Sequence, residues 1–188
     1  MNGIGKRNNG LFIVRQSRIQ GRGAFALTRI RKGQRIIEYI GERIGPALET
    51  KRYNEEAMER HHTFLFSIDD TTTIDGAVGG NDARYINHSC DPNCEALDED
   101  GRIYILASRT IYPGEELTYD YHFQATGRVT KSLLAFYVCR CGTDACRGTI
   151  LNIKSRSNGH RNGNGNGNSN GNGHPGRHAD HQVRHKSK

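Results

Sequence analysis

The stretch Arg84-Tyr85-Ile86-Asn87-His88-Ser89-Cys90-Asp91-Pro92-Asn93 decides how the rest of this 188-residue chain is read. It places an amide that both donates and accepts, an imidazole and a thiol within a few positions of one another. Downstream stand Glu116-Leu117-Thr118-Tyr119-Asp120-Tyr121 and the run Cys139-x-Cys141-x4-Cys146. Upstream stand Gly21-Arg22-Gly23 and Tyr39-Ile40-Gly41-Glu42. Each block alone is weak evidence. A Gly-x-Gly is more often a turn than a ligand loop, and Tyr119 and Tyr121 share one face of a strand, where they can simply be core. Five blocks in one order carry far more weight.

The cysteines number five, an odd count, and three of them crowd into the segment from Cys139 to Cys146. That spacing argues for metal in a reducing compartment over a disulfide framework. A closed structural zinc site wants four ligands in a tetrahedron, so a fourth must come from elsewhere, with Cys90 and Cys94 as the candidates.

Composition divides the chain. The formal charge is +7. Residues 154–188 carry seven Lys and Arg against Asp180, which leaves the tail at +6 and the remainder near +1. The tail is Asn, Gly, His and basic residues with almost nothing apolar, and is expected to be disordered because it cannot offset its chain entropy by burial. A basic flexible tail serves as a weak, salt-sensitive tether to nucleic acid, or merely for solubility. Met1 to Gln16 holds no apolar stretch of signal-peptide length, and nothing approaches the ~20 apolar residues of a membrane span. The expectation is a soluble, intracellular protein without a membrane partner.

Short β-patterned pieces at 11–14, 23–27 and 36–40 are separated by Gly or charged turns. Pro46 opens one moderate helix running to about Arg60, with a thin apolar stripe. Further strands are expected at 63–68, 71–74, 103–108 and 117–121, with a glycine loop at 76–80 and a short helical turn at 81–86. This is a mostly β domain of small antiparallel units. Pattern alone does not choose among barrels, sandwiches and rarer folds.

The ordered blocks choose. Across residues 11 to 152 the chain resembles the SET-domain protein lysine methyltransferases, with a post-SET zinc motif at its end. The resemblance implies the SET, or β-clip, fold: small curled antiparallel sheets around a threaded pseudoknot, with the Asn87-His88 segment passing beneath the region of Tyr121. It divides the chain into a flexible 1–10, a SET domain over 11–125, a post-SET zinc segment over 126–153 and the tail 154–188. The compact form looks like the minimal versions found in bacteria and some eukaryotes, which leaves the compartment as cytoplasm or nucleus according to source.

The resemblance also implies roles. Tyr121 is the tyrosine tied to catalysis, with Tyr119 and Tyr39 beside it and Phe64 and Phe66 completing the channel wall. S-adenosylmethionine is implied as the cofactor, bound by Gly21, Arg22, Gly23, Phe64, Arg84, Asn87, His88 and Tyr121. Zinc is implied at Cys90, Cys139, Cys141 and Cys146, with Cys94 a free thiol. Tyr119 stands where the family has Phe or Tyr, and tyrosine there implies mainly monomethylation. Phe64 stands where many relatives have a tyrosine, so a hydroxyl is missing from the pocket. The expected substrate is a lysine of a histone or another basic protein. The alternative is a SET-fold binding module with little turnover, for which Phe64 is the sequence hint.

Overall fold

The computed structural model describes residues 10–53, 63–125 and 128–153. The expected tail at 154–188, the flexible start and the second half of the helix expected to reach Arg60 lie outside the described residues.

The first hairpin pairs β1 (Phe12–Gln16) with β2 (Arg22–Ala26), Phe12 opposite Ala26 and Gln16 opposite Arg22. Phe12, Ala24 and Ala26 face inward and are buried, while Ile13 and Arg15 face out, the period-two alternation of a one-sided sheet. A second sheet places β3 (Arg35–Tyr39) and β8 (Cys94–Glu99) on either side of β9 (Arg102–Ala107). Its centre is the β-branched run Ile103 and Ile105, both fully buried, against Ile36. Each such side chain contributes roughly 1.5–3 kcal/mol on leaving water. A third sheet sets β6 (Thr73–Asp75) between β4 (Glu42–Ile44) and β5 (Leu65–Ser67).

The stretch that opened the sequence reading begins in a 3-10 turn, Asp82–Tyr85, capped by the Asn81 side chain accepting from the Ala83 N–H. It continues into β7 (Asn87–His88), which pairs in parallel with β10 (Thr118–Tyr119): Asn87 opposite Thr118, His88 opposite Tyr119. This pairing joins the two most informative blocks of the sequence side by side.

α1 (Pro46–Arg52) buries none of its residues, in line with its thin apolar stripe, and Pro46 sits in its first turn. Its end is held from below: the fully buried Asp75 carboxylate accepts from Arg52 (2.8 Å) and from the Tyr53 hydroxyl (2.8 Å). Two elements go beyond the sequence reading. β8 is a strand whose residues Glu95, Asp98 and Glu99 disguise it, closed onto β9 by Asp100 and Gly101, both at positive φ. α2 (Lys131–Phe136) is a six-residue helix capped by the Thr130 hydroxyl accepting from the Leu133 N–H. Phe123, Tyr137 and Leu151 form a separate small core beneath α2, apart from the main core of Phe12, Ile36, Phe66, Ile86, Ile105 and Leu117. Among the described residues no helix is long and apolar enough to cross a membrane.

Candidate active site and metal centre

A cleft of about 260 Å³ lies between the first hairpin, the 3-10 turn, β7 and the segment after α2. Gly21, Arg22, Phe64, Arg84, Asn87, His88 and Tyr121 line it, joined by Tyr85 and by Tyr137 to Arg140. A second, much narrower space of about 20 Å³ is walled by Tyr39, Phe64, Phe66, Tyr119, Tyr121 and Phe123. The two spaces share Thr63, Phe64, Arg84 and Tyr121.

The glycines of Gly21-Arg22-Gly23 do different work. Gly21 adopts φ +45°, which a side chain disfavours. Gly23 is not on the cleft wall: a Cβ there would run into the Glu116 carboxylate and the Ser17 side chain. Glu116 in turn accepts from Ser17 Oγ (2.7 and 3.0 Å) and from Asn87 Nδ2 (2.8 Å). Asn87 Nδ2 also donates to the Arg22 carbonyl (3.0 Å), so one amide ties β7 to the hairpin.

The Tyr85 hydroxyl receives Arg84 (2.9 Å) and Arg22 (3.4 Å), and both guanidiniums stack on its ring, at 4.8 and 4.6 Å. Arg84 donates further to the Gly76 carbonyl (3.1 Å), while its buried Nε has no partner among the described residues. Neither arginine meets a carboxylate among the described residues, so one end of the cleft is positive and open to an anion.

Tyr121 stands where the two spaces meet. Its hydroxyl donates to the Ile86 carbonyl (3.0 Å), its N–H donates to His88 Nδ1 (3.2 Å), and its ring packs against Tyr119 (4.8 Å), His88 (5.3 Å) and Phe123 (5.6 Å). The Tyr39 hydroxyl donates to the Phe64 carbonyl (2.8 Å), while that of Tyr119 has no hydrogen-bond partner among the described residues. Burial raises the pKa of all three tyrosines, so their hydroxyls remain protonated donors. Burial also lowers His88, to about 4, leaving it a neutral imidazole. Nδ1 accepts from Tyr121, so Nε2 carries the proton and points at Cys90 Sγ, 3.5 Å away. At 3.6 Å from Asp120 it is a neighbour and not an ion pair.

The sulfurs of Cys90, Cys139, Cys141 and Cys146 all lie within 4.8 Å of one another, with Cys90 and Cys139 at 3.7 Å. Four thiolates at ~2.3 Å from a tetrahedral zinc stand close to this spacing. Backbone N–H groups already aim at them: Arg147 at Cys90 (3.3 Å), Cys141 at Cys139 (3.4 Å) and Gly148 at Cys146 (3.4 Å). Such donors offset the negative charge that gathers on metal-bound sulfur. Burial raises the Cys90 and Cys139 thiols; at Cys141 burial acts the same way, but hydrogen bonds from Cys90 and Thr143 outweigh it and draw the thiol down to about 6. Cys94 lies apart from the cluster, buried in β8 with its thiol toward Asn93 Oδ1 (3.4 Å) and pushed up to about 12 by burial.

Sequence reasoning assigned no role to Ser17, Tyr85 or Glu116. Glu116 and Tyr85 were at least visible as members of their blocks; nothing in the sequence points to Ser17.

A family model described as the SET domain matches residues 21–122, and the chain belongs to the SET-domain family. It is 41% identical over 145 residues to "Histone-lysine N-methyltransferase trr" of Drosophila melanogaster, covering 75% of this chain and 6% of that protein. It is 38% identical over 143 residues to "Histone-lysine N-methyltransferase 2D" of Homo sapiens, covering 74% of this chain and 2% of that one. With "Histone-lysine N-methyltransferase, H3 lysine-4 specific" of Neurospora crassa the identity is 40% over 144 residues, 71% of this chain and 10% of the relative. The chain thus spans a small part of the length of these relatives.

Proposed function

We propose that the chain is an S-adenosylmethionine-dependent protein-lysine N-methyltransferase acting on a histone or another basic protein, with monomethyl-lysine as its main product. The observation that carries this reading is the meeting of the broad cleft and the narrow aromatic space at Tyr121. A methyl donor fills the first and a lysine side chain enters through the second.

The nucleophile must be a neutral amine, and holding a lysine neutral at pH 7 costs about 4 to 5 kcal/mol. No tyrosine here can act as the base, because burial keeps all three protonated. The aromatic walls lower the amine pKa by desolvation instead. When bound, S-adenosylmethionine supplies an electrophilic methyl on a cationic sulfur. Arg22 and Arg84 would meet its carboxylate, Asn87 and His88 would hold its amino-acid and adenine portions through the groups their internal hydrogen bonds leave free, Gly21 would let the hairpin bend around it, and Phe64 would line its pocket. Gly23 acts from behind, by admitting the Glu116 carboxylate that fixes Asn87. Tyr121 orients the amine in line with the methyl, an alignment worth several kcal/mol. Tyr39 is held by Phe64 as a rigid wall, and the unpartnered Tyr119 hydroxyl holds a water where a second methyl would sit.

Zinc at Cys90, Cys139, Cys141 and Cys146 is structural in this reading, closing 126–153 over the SET domain of 11–125. The basic tail adds a weak tether to nucleic acid. The compartment follows the substrate: the nucleus for a eukaryotic histone, the cytoplasm for a bacterial basic protein.

Incubation with core histones and S-adenosylmethionine, followed by peptide mass spectrometry, tests the reading. A one-methyl gain on lysine is expected. No gain, with cofactor binding intact by calorimetry, leaves the binding module in its place.

A further inference from the structure

β1 is an edge strand with a free side. The backbone bonds Leu27 N–H to Leu11 C=O (2.8 Å) and Ser17 N–H to Gly21 C=O (2.9 Å) fix the ladder: the odd-numbered residues of β1 turn their backbone groups toward β2. Phe12, Val14 and Gln16 therefore turn theirs away from it. No strand among the described residues pairs with that side. Phe12 is buried, so its backbone groups are closed off, while the outward N–H and C=O pairs of half-buried Val14 and exposed Gln16 are a template for another strand.

The surroundings of this edge are selective. Between residues 10 and 37 the chain has seven Lys and Arg and no Asp or Glu. Arg15, exposed on the outer face of β1, stacks on the Phe25 ring at 4.0 Å, and Arg18 stands exposed at the hairpin tip without an acidic partner among the described residues. Ile13 and Leu27 share the outer face and are 48% and 51% exposed, although both are large and apolar. A free backbone edge, apolar side chains left in water and arginines without anions together fit a peptide better than they fit a nucleic acid. Phosphates would use the arginines alone, and the Phe25 ring face that could stack a base is already covered by Arg15.

We propose that the free edge of β1 takes up an extended acidic peptide segment of a partner protein as an added strand. Backbone bonds to Val14 and Gln16 supply the attachment, and carboxylates beside Arg15 and Arg18 supply the selectivity. The edge is remote from Tyr121 in role, and the proposal does not rest on the methyl-transfer reading.

Backbone amide exchange, followed by NMR on the full chain, tests it. The probes are an end-blocked synthetic peptide alternating Val and Glu, and its Val/Lys counterpart. With the acidic peptide at about ten times its Kd, exchange at Val14 and Gln16 slows about tenfold. The Lys peptide leaves exchange unchanged, and the Arg15→Glu/Arg18→Glu variant reverses the preference. Val14→Pro removes one outward N–H and weakens binding, while the charge-reversal pair keeps the test open if that variant fails to fold. The proposal is overturned by protection of these amides before any peptide is added, which would mean the chain's own remaining residues or a second copy covers the edge. It is equally overturned if the acidic peptide shifts only side-chain signals, or if a DNA duplex competes it away without protecting the amides.

Discussion

The Asp120 carboxylate receives both arms of the Arg147 guanidinium, Oδ2 from Nη1 at 2.6 Å and Oδ1 from Nη2 at 3.0 Å. Asp120 stands between Tyr119 and Tyr121, and Arg147 directly follows Cys146, so this bidentate pair ties the cysteine segment to the stretch that carries the two tyrosines. His88 makes the second tie, with Nε2 at Cys90 and Nδ1 at the Tyr121 N–H. Thiol cluster and tyrosine are thus joined twice, by an ion pair and by a ring.

Loss of the first tie is expected to weaken alignment without emptying the metal centre. Arg147→Gln should lower methyl transfer several-fold and cost about 1 kcal/mol or less in stability, since the arginine is about a third exposed. Zinc content by atomic absorption should stay at one per chain. A double-mutant cycle with Asp120→Asn should show the two losses to be non-additive; strict additivity would mean that the pair carries no coupling.

Acid should act through the same pair. Burial pushes Asp120 upward, but hydrogen bonding to Arg147 prevails and holds its carboxyl below the ordinary aspartate value of about 3.9. A group lowered in the folded state contributes its full stability above the unfolded pKa and loses it as pH falls through the folded one. Urea midpoints for the wild type should therefore drop below about pH 4, and Asp120→Asn should flatten that drop.

Metal removal should strike binding before folding. Tyr137 to Arg140 form one wall of the larger cleft, whereas the main core around Ile36, Ile103 and Ile105 is built without the cysteine segment. Zinc stripping, or Cys146→Ser, should abolish cofactor binding in calorimetry while the main unfolding transition persists. Full cofactor affinity after verified stripping would count against a closing role for the metal.

Tyr119→Phe removes a hydroxyl that makes no hydrogen bond to the described residues, so it should cost little stability and enlarge the space beside the amine. Product mass spectra should move from monomethyl toward di- and trimethyl-lysine. An unchanged distribution would show that Tyr119 does not set the product.

Much of this was legible because the chemistry was local. The β-patterned runs at 36–40 and 103–108 announced β3 and β9, and the close spacing of Cys139, Cys141 and Cys146 announced a thiol cluster. What stayed hidden depends on partners distant in sequence. The requirement for glycine at position 23 is set by Glu116, and the pairing of Arg22 with Arg84 is set by the Tyr85 ring between them. β8 was masked by its carboxylates, and α2 is too short to display a helical period. The choice between Cys90 and Cys94 as the fourth thiol rested on resemblance alone, since spacing cannot tell which of them the chain path brings to the cluster.

In the proposed reaction donor and amine meet at Tyr121, and single-turnover methyl transfer to core histones by wild type and Tyr121→Phe measures what that residue contributes. The loss of the hydroxyl should slow transfer by about a hundredfold or more, as removal of an oriented catalytic donor does, while cofactor affinity changes by less than about threefold. Equal rates in the two proteins, with histone lysine still methylated, would place the chemistry elsewhere in the molecule.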